Sequence, residues 1–335
     1  MAAKIRWGVL GNAKIAREKV IPGMQKGEFS IVTAMASRDA DKARPVADAL
    51  GIEKVHGSYE ALLADPDVDA IYNPLPNDLH VSWSIQAAAA GKHVLCEKPI
   101  GLSSLETTKL IQARDQYGVK IGEAFMARTH PQWLRAKAVV DSGELGDLRL
   151  MVGAFSYFNR DAANIRNSLD AGGGALMDIG CYPVTLSRMI FASEPTRVTA
   201  CIERDPDFGT DRFTSAILEY PQGQCVFSCS TQIAPYQRIT ILGTKARLEM
   251  EIPFNAPPDR PLRVIVDTGK SLFGETARIE EMPICDQYTI QGDLFSRAIL
   301  ENGPVPVALE DSLANMKVIE AIFRSAVSRQ WEPIS

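Results

Sequence analysis

Short apolar runs alternate with amphipathic stretches over the first 126 residues. Each strand-like run ends at a glycine or another turn signal, and a segment with helical character follows it. The pattern predicts strands at 5–11, 29–38, 68–75, 92–98 and 119–125, with helices at 13–27, 39–51, 58–65, 78–92 and 102–118. Such regular alternation is typical of a doubly wound parallel sheet.

The pattern changes after residue 127, where strands follow one another with short turns. Six strands are expected, at 148–158, 196–205, 211–220, 224–231, 237–243 and 246–254. They predict an α/β domain over 127–335 with a large open, mostly antiparallel sheet, beside a parallel-sheet domain over 1–126. The helical stretch 175–191 can cover one face of the second sheet. The other face is then free for a second subunit, so we expect a homodimer.

Composition narrows the class of protein. The 335 residues are 46% hydrophobic and 23% charged, with a net charge of −5, which is ordinary for a globular protein. No basic block indicates a nucleic-acid surface, and no apolar run reaches the ~18 residues of a membrane helix. The N-terminus lacks the hydrophobic region of a signal peptide, so a cytoplasmic location is expected. Six scattered cysteines and four histidines without metal-ligand spacing predict no metal site.

A carboxylate and an ammonium stand side by side at the end of one predicted strand, in the stretch GKHVLCEKPI. Ligands of doubly wound sheets bind beyond the carboxyl ends of the strands, where Glu97 and Lys98 are expected. Pro99 restricts Lys98 to extended geometry. A functional pair and a plain surface ion pair are both compatible with the spacing.

The first strand-to-helix turn, GVLGNAKIA, carries a dinucleotide fingerprint with Gly11, Ala13 and Ala16 at the three glycine positions. Gly11 allows the tight turn, whereas many dinucleotide-binding chains have glycine in place of Ala13. Backbone N–H groups of residues 12–16 are expected to bind the pyrophosphate. This segment makes Asn12, Lys14 and Ile15 cofactor-binding candidates as well.

The second predicted strand ends in ASRD, at the place that contacts the adenosine ribose. Ser37 and Arg38 suit a 2′-phosphate, because guanidinium pairs with phosphate in a bidentate manner. Lys42 lies one helical turn further and can add charge. We therefore expect NADP(H), with NAD as the alternative because Asp39 could accept from a 2′-hydroxyl.

A second stretch of chemical interest is AGGGALMDIGCYPV, residues 171–184. Asp178 and Tyr182 are four residues apart and are expected to share one face of a helix. Pro183 must kink that helix or begin a new segment. The alternative is a capped helix start with a tyrosine in the core.

Together these stretches resemble the Gfo/Idh/MocA oxidoreductases over nearly the whole chain. The resemblance rests on RWGVLGNAKIA, ASRD, YNPLPNDLH, GKHVLCEKP, GGGALMDIGCY and the C-terminal ALEDSLANMKVIEAIFRSA. The branch is similar to that of glucose–fructose oxidoreductase, NADP-dependent xylose dehydrogenase and dimeric dihydrodiol dehydrogenase. The resemblance implies a Rossmann domain followed by an open-sheet α/β domain.

The resemblance also implies residue roles. Lys98 corresponds to the family's catalytic lysine, and Tyr182 occupies the place where many members have histidine. Asp178 is the motif's aspartate. The implied cofactor contacts are Glu97, Lys98, Leu75, Asn77 and His80, and the additional substrate-binding candidates are Arg166 and Tyr288.

The chemistry expected of this set is oxidation of a carbinol. A free tyrosine has a pKa of ~10, and a neighbouring ammonium lowers it. Tyr182 is therefore the expected proton acceptor with Lys98 as its partner, and Lys98 as the base is the alternative. The leading function is oxidation of an aldose at C1 to a lactone. The alternatives are aldose–aldose (or glucose–fructose) oxidoreduction with tightly bound NADP(H), trans-dihydrodiol oxidation, and a regulator without turnover.

Overall fold

A computed structural model describes residues 3–271 and 273–335, which form two compact units. The first comprises the chain up to Thr129 together with Asp286–Leu313, and the second comprises His130–Cys285 and the chain from Ala314 onward. Sequence reasoning placed all of 127–335 in one domain, so the position of 286–313 differs from the expectation.

The helices of the described residues are numbered along the chain. Their bounds are α1 Ile21–Gln25, α2 Ala40–Ala49, α3 Tyr59–Leu63, α4 Asn77–Ala89, α5 Ser104–Tyr117, α6 Pro131–Asp141, α7 Cys181–Phe191, α8 Gln287–Leu300 and α9 Leu309–Ser328. Serine side chains cap α3 and α5, since Ser58 accepts from Ala61 N and Ser103 from Glu106 N. None of the described helices combines the length and apolar character needed to cross a membrane.

The first unit contains a parallel sheet. Its strands are β1 Ile5–Leu10, β2 Ser30–Ala36, β3 Lys54–His56, β4 Ala70–Asn73, β5 His93–Glu97 and β6 Ile121–Ala124, in the spatial order β3-β2-β1-β4-β5-β6. Every pairing between these strands is parallel. The predicted doubly wound sheet is thereby confirmed, although the short strand β3 was not foreseen. The order reverses between β1 and β4, which is where such sheets bind ligands.

Helix α8 belongs to the first unit because it covers this sheet. The indole N–H of Trp7 in β1 donates to Ser296 Oγ at 3.0 Å. The ring of Trp7 also packs on Phe295, with centroids 5.6 Å apart. Both aromatic side chains are buried. No local pattern in the sequence predicts that α8 packs on the sheet of the first unit.

The second unit contains a nine-stranded sheet among the described residues. The bounds are β7 Leu148–Phe158, β8 Arg197–Arg204, β9 Asp211–Tyr220, β10 Gly223–Ser230, β11 Gln232–Gly243, β12 Arg247–Met250, β13 Leu262–Asp267, β14 Ala277–Met282 and β15 Glu332–Pro333. The order is β14-β13-β12-β11-β7-β10-β9-β8-β15. Only β7 with β10 is a parallel pair in this sheet as described. The mostly antiparallel sheet is confirmed, and β13, β14 and β15 were missed.

The two faces of this sheet differ. Phe155, Phe227 and Leu218 are buried on the inner face, where α7 contacts β7. On the outer face, the paired residues of neighbouring strands form an apolar row, since Val226 is opposite both Val152 and Ile217. Val152 itself is 41% exposed.

Two prolines coincide with widened helical turns. A π-helical segment, Ala16–Val20, precedes α1, in which Pro22 lies in the first turn. A second, Leu176–Gly180, precedes α7 and its Pro183. Proline lacks an N–H group and clashes with the carbonyl four residues earlier, so a wider turn accommodates it. Each proline thus lies inside a continuous helix, directly after a widened turn.

Candidate active site

The carboxyl ends of β1 and β4 meet at the point where the strand order reverses. Gly11 follows β1 with φ +76° and donates its N–H to Ala36 O at 2.8 Å. A Cβ at this position would lie 3.1 Å from Leu75 Cδ2 and 3.3 Å from the Tyr59 hydroxyl. The positive φ favours glycine here, and the space for a Cβ is tight. Tyr59 was not among the sequence-based candidates.

The loop after Gly11 fits a dinucleotide. Asn12 Oδ1 and Arg17 Nε are buried and have no hydrogen-bond partner within the described residues. Polar atoms buried in this way indicate an absent polar partner. The helical N–H groups that begin at Lys14 lie directly after this loop, an arrangement suited to phosphate. Arg17 was missed because it lies one residue beyond the fingerprint.

The end of β2 favours a 2′-phosphate. Asp39 caps α2 by accepting from Lys42 N at 3.0 Å, and its carboxylate also pairs with Lys42 Nζ at 2.9 Å. The hydrogen bond from Lys42 lowers the pKa of Asp39. The carboxylate that could accept from a ribose hydroxyl thus caps α2 and pairs with Lys42. Arg38 is exposed at the same strand end, and its charge opposes the rise that burial causes in the pKa of Tyr59.

Glu97, at the end of β5, is held by a neighbouring strand. The Tyr72 hydroxyl donates to Glu97 Oε1 at 2.7 Å, and Lys98 N donates to Oε2 at 3.3 Å. Burial, followed by the Glu97 charge, raises the pKa of Tyr72 well above its ordinary value. Tyr288, at the start of α8, also feels the Glu97 charge, while burial is the main cause that raises its pKa. The structure therefore places Tyr288 in the first unit near Glu97, and Tyr72 joins the site as a residue that sequence reasoning missed.

His80 and Asn77 lie in the first two turns of α4. Asn77 is half-buried, whereas His80 is 1% exposed. His80 Nδ1 lies 2.7 Å from Pro99 O, and Nε2 lies 2.7 Å from Leu75 O. Both ring nitrogens thus face backbone carbonyls. The expected direct contact of His80 with the cofactor stays a prediction.

A polar cluster forms around Asp178 in the second unit. Arg166 Nε donates to Asp178 Oδ2 at 2.8 Å, and the Tyr157 hydroxyl donates to the same oxygen at 2.6 Å. Burial and the Asp178 charge raise the pKa of Tyr157, so the phenol remains a hydrogen-bond donor. The structure confirms neither substrate role, but it brings Arg166 and Asp178 together and adds Tyr157.

The glycines of the motif allow this cluster to form. Gly174 N donates to Arg166 O at 2.9 Å, and a Cβ on Gly173 would lie 2.4 Å from that oxygen. Asp211 anchors the next turn by accepting from Leu176 N at 2.7 Å. The absence of a side chain at Gly173 and Gly174 thus lets the backbone of Arg166 lie close to the backbone of these two residues.

Tyr182 lies among aromatic side chains in the first turn of α7. Its ring packs edge-on against Phe155, with centroids 5.7 Å apart, and against Phe254 at 5.5 Å. The residue is 3% exposed. The helix runs without a break over 175–191, but its turn Leu176–Gly180 is π-helical, so a regular α-helical turn does not relate Asp178 to Tyr182.

The candidate residues are divided between the two units. Glu97, Lys98 and the dinucleotide loop belong to the first, whereas Arg166, Asp178 and Tyr182 belong to the second. Among the described residues, no group of three or more His, Cys, Asp or Glu side chains could hold a metal ion.

Two family models match this chain. The oxidoreductase family with an NAD-binding Rossmann fold matches residues 5–125. The Gfo/Idh/MocA C-terminal domain matches residues 133–249. The chain belongs to the Gfo/Idh/MocA oxidoreductase family. This Gfo/Idh/MocA member joins its Rossmann unit to the open-sheet unit that the resemblance implied.

Proteins similar to this chain support the expected branch. The D-xylose 1-dehydrogenase (NADP(+)) 2 of Haloferax volcanii is 40% identical over 96% of this chain and 97% of its own length. The crystal structure of the 3-ketoreductase KijD10 from Actinomadura kijaniata, in complex with NADP and TDP-benzene, has a TM-score of 0.89 and 30% identity, and covers 96% of this chain and 98% of its own. Aldose–aldose oxidoreductase from Caulobacter crescentus, complexed with glycerol, has a TM-score of 0.90 and 26% identity, and covers 98% and 99%. The predicted branch and the predicted cofactor, NADP(H), are confirmed by these comparisons.

Proposed function

We propose that this protein oxidises an aldose at C1 with NADP+ and releases an aldonolactone. The observation that carries the proposal is the 40% identity with a D-xylose 1-dehydrogenase over nearly the full length of both chains. The engaged Asp39 carboxylate and the exposed Arg38 support NADP+ as the oxidant. Asn12, Arg17 and the backbone of the dinucleotide loop would hold its pyrophosphate.

Bound NADP+ supplies the hydride acceptor, and the protein manages the sugar and its proton. We assign removal of the C1 hydroxyl proton to Tyr182 and the stabilisation of its phenolate to Lys98. An ammonium lowers the pKa of a nearby phenol, which makes tyrosine a usable base near neutral pH. KijD10 has also been solved with a lysine replaced by alanine or glutamate and with a tyrosine replaced by phenylalanine, the same two residue types.

The cluster around Asp178 is suited to orient a sugar hydroxyl. Arg166, at 2.8 Å, stabilises the ionised carboxylate, and an ionised carboxylate is a strong hydrogen-bond acceptor. Tyr157 fixes the carboxylate orientation by donating to it at 2.6 Å. We assign to Asp178 the acceptance of a hydrogen bond from a hydroxyl group that does not react.

The first experiment is a panel of aldoses and polyols at fixed NADP+, followed by absorbance at 340 nm. We expect turnover with at least one aldose and a lactone or aldonate as product. Lys98→Met and Tyr182→Phe should each lower kcat by at least about a hundredfold, a typical contribution of acid–base groups. Lys109→Met and Tyr117→Phe replace exposed residues of the same types on α5 and should behave as the wild type. A Lys98 or Tyr182 variant that binds NADP+ and keeps wild-type kcat refutes the assigned role.

A second candidate is aldose–aldose oxidoreduction, in which NADP(H) stays bound while one sugar is oxidised and another reduced. The fold similarity to the Caulobacter crescentus enzyme, with a TM-score of 0.90, favours it. Absorbance near 340 nm that persists in desalted protein, and that one sugar raises and another removes, would establish this alternative. Dihydrodiol oxidation would need an aromatic-lined pocket, for which the sequence offers Phe155, Tyr157 and Phe158. Phe155 is buried and Phe158 lies on the other face of β7, so the three side chains do not form one lining.

We also propose that the outer face of the nine-stranded sheet forms a homodimer. Phe158 and Tyr236 are 63% and 54% exposed, and the apolar row through Val152 lies on the same face. Light scattering after gel filtration should give a dimeric mass, and Val152→Glu should give a monomer. Leu105→Glu, which changes an equally apolar exposed residue on α5, is the matched control. A monomeric wild type overturns this proposal without affecting the catalytic one.

A further inference from the structure

We propose that His80 is a positioning residue that fixes two loops of the active site against each other, the loop that binds the cofactor and the loop that presents the catalytic lysine. The proposal rests on the function assigned above. The loop of residues 74–76 follows β4, and the loop of residues 98–100 follows β5. The side chain of His80, on α4, contacts both loops.

The imidazole of His80 lies between the two loops. Nε2 is 2.7 Å from Leu75 O, and Nδ1 is 2.7 Å from Pro99 O. The backbone of His80 is fixed as well, because Asn73 Nδ2 donates to His80 O at 3.0 Å. Asn73 Oδ1 in turn accepts from Leu75 N at 3.3 Å. The ring therefore has a defined position from which it contacts both loops.

Each loop carries a part of the catalytic apparatus. Leu75 lies against Gly11, since a Cβ added to Gly11 would be 3.1 Å from Leu75 Cδ2. This loop therefore borders the dinucleotide site. Pro99 directly follows Lys98, and a shift of Pro99 O moves the backbone of the lysine. The next residue, Ile100, donates its N–H to the buried Glu123 at 2.8 Å. His80 and Glu123 thus hold the lysine loop from two sides.

The two contacts of His80 can be separated by substitution. Burial is the largest influence on His80 and lowers its pKa to about 4, so the ring is neutral at pH 7 and, in each tautomer, donates its single N–H group to one of the two carbonyl oxygens. An asparagine amide can occupy the place of Nδ1, and a glutamine amide can occupy the place of Nε2. His80→Asn therefore retains a donor for Pro99 O, and His80→Gln retains a donor for Leu75 O.

The experiment measures two quantities for each variant in the full-length protein. The dissociation constant of NADPH is obtained from nucleotide fluorescence, without turnover, and kcat is obtained with the best aldose. Loss of one buried hydrogen bond corresponds to about a tenfold effect. We expect His80→Asn to raise the dissociation constant about tenfold with kcat within threefold of the wild type. His80→Gln should lower kcat about tenfold with the dissociation constant nearly unchanged.

A purely structural histidine would behave differently. Both variants would then lose thermal stability and change both quantities in the same proportion, and that outcome overturns the proposal, as does wild-type behaviour of both. If one variant does not fold, the proposal is tested on the other variant alone, by comparing its change in NADPH dissociation constant with its change in kcat. If no aldose is turned over, the proposed function fails. The positioning role of His80 is still supported if NADPH binding is weakened in His80→Asn and retained in His80→Gln. Equal NADPH affinities in the two variants refute it.

Discussion

Glu123 is a buried acid whose removal should make the protein more stable at alkaline pH. It lies on β6 and is 4% exposed. Its carboxyl group accepts from Ile100 N at 2.8 Å and is hydrogen-bonded to Ser312. Burial raises the pKa of Glu123 from 4.5 to about 7, while the two hydrogen bonds and the Arg128 charge oppose that rise and the Asp311 charge adds to it.

The direction of this change in stability with pH follows from proton linkage. A raised pKa means that the folded state binds the proton more tightly than the unfolded state, so the stabilisation is complete below pH 4.5 and is lost as pH rises through about 7. The difference between 7 and 4.5, at ~1.4 kcal/mol for each tenfold change in proton affinity, corresponds to about 3 kcal/mol. Glutamine keeps an acceptor for Ile100 N and remains neutral at every pH. Glu123→Gln should therefore be close to the wild type near pH 5 and more stable by about 1–3 kcal/mol at pH 8.

The assay is urea denaturation of the wild type and Glu123→Gln at half-unit steps from pH 5 to 8.5, followed by fluorescence and circular dichroism. We expect the stability difference in the urea unfolding transition of the first unit, which contains Glu123. Glu53→Gln, which replaces an exposed glutamate before β3, should show no such pH-dependent difference. A stability difference between Glu123→Gln and the wild type that is independent of pH, or that favours the wild type at pH 8, refutes the assignment of a buried acid with a raised pKa.

Three further predictions concern the site. Arg38→Ala should lower kcat/KM with NADP+ at least about tenfold, since charged hydrogen bonds contribute ~1.5–3 kcal/mol, and leave the value with NAD+ unchanged; an equal fall with both cofactors contradicts the 2′-phosphate contact. Tyr157→Phe removes a donor to Asp178, so the KM of the sugar should rise several-fold while NADPH affinity, measured by fluorescence, stays the same. Gly11→Ala should abolish NADPH binding, whereas Gly51→Ala, which has a similar φ of +69° but open space around the Cβ, should only cost ~1–2 kcal/mol of stability. Comparable NADPH affinity in the two alanine variants would contradict the close approach of the loops.

Sequence reasoning gave the fold class because its signals are local. The alternation of apolar runs and helical stretches predicted the parallel sheet, and short strands with tight turns predicted the antiparallel one. Burial on one or both faces of a strand imposes these periods on the chain itself. The parallel pairing of β7 with β10 could not be foreseen, because strand order depends on contacts between segments far apart in sequence.

The cofactor site was partly predictable for the same reason. A positive φ at Gly11 and the charges of ASRD are properties of short segments, so the dinucleotide loop and the choice of NADP(H) followed from them. The pairing of Asp39 with Lys42 was not considered, although both residues were noted. Tyr59 was missed because it reaches the site from an element with no motif of its own. Tyr72 begins the stretch YNPLPNDLH but was missed because its hydrogen bond to Glu97 joins two different strands.

The sequence by itself determined two sheets of different kinds, a dinucleotide loop and a small set of chemically active residues, since periodicity and backbone preference act over a few neighbouring positions. Tertiary structure alone decided which partners those residues have. It paired Arg166 and Tyr157 with Asp178, directed both ring nitrogens of His80 to backbone carbonyls, and returned α8 to the first unit. These contacts join residues that are distant along the chain, and they are selected by the packing of whole elements, which no local pattern encodes.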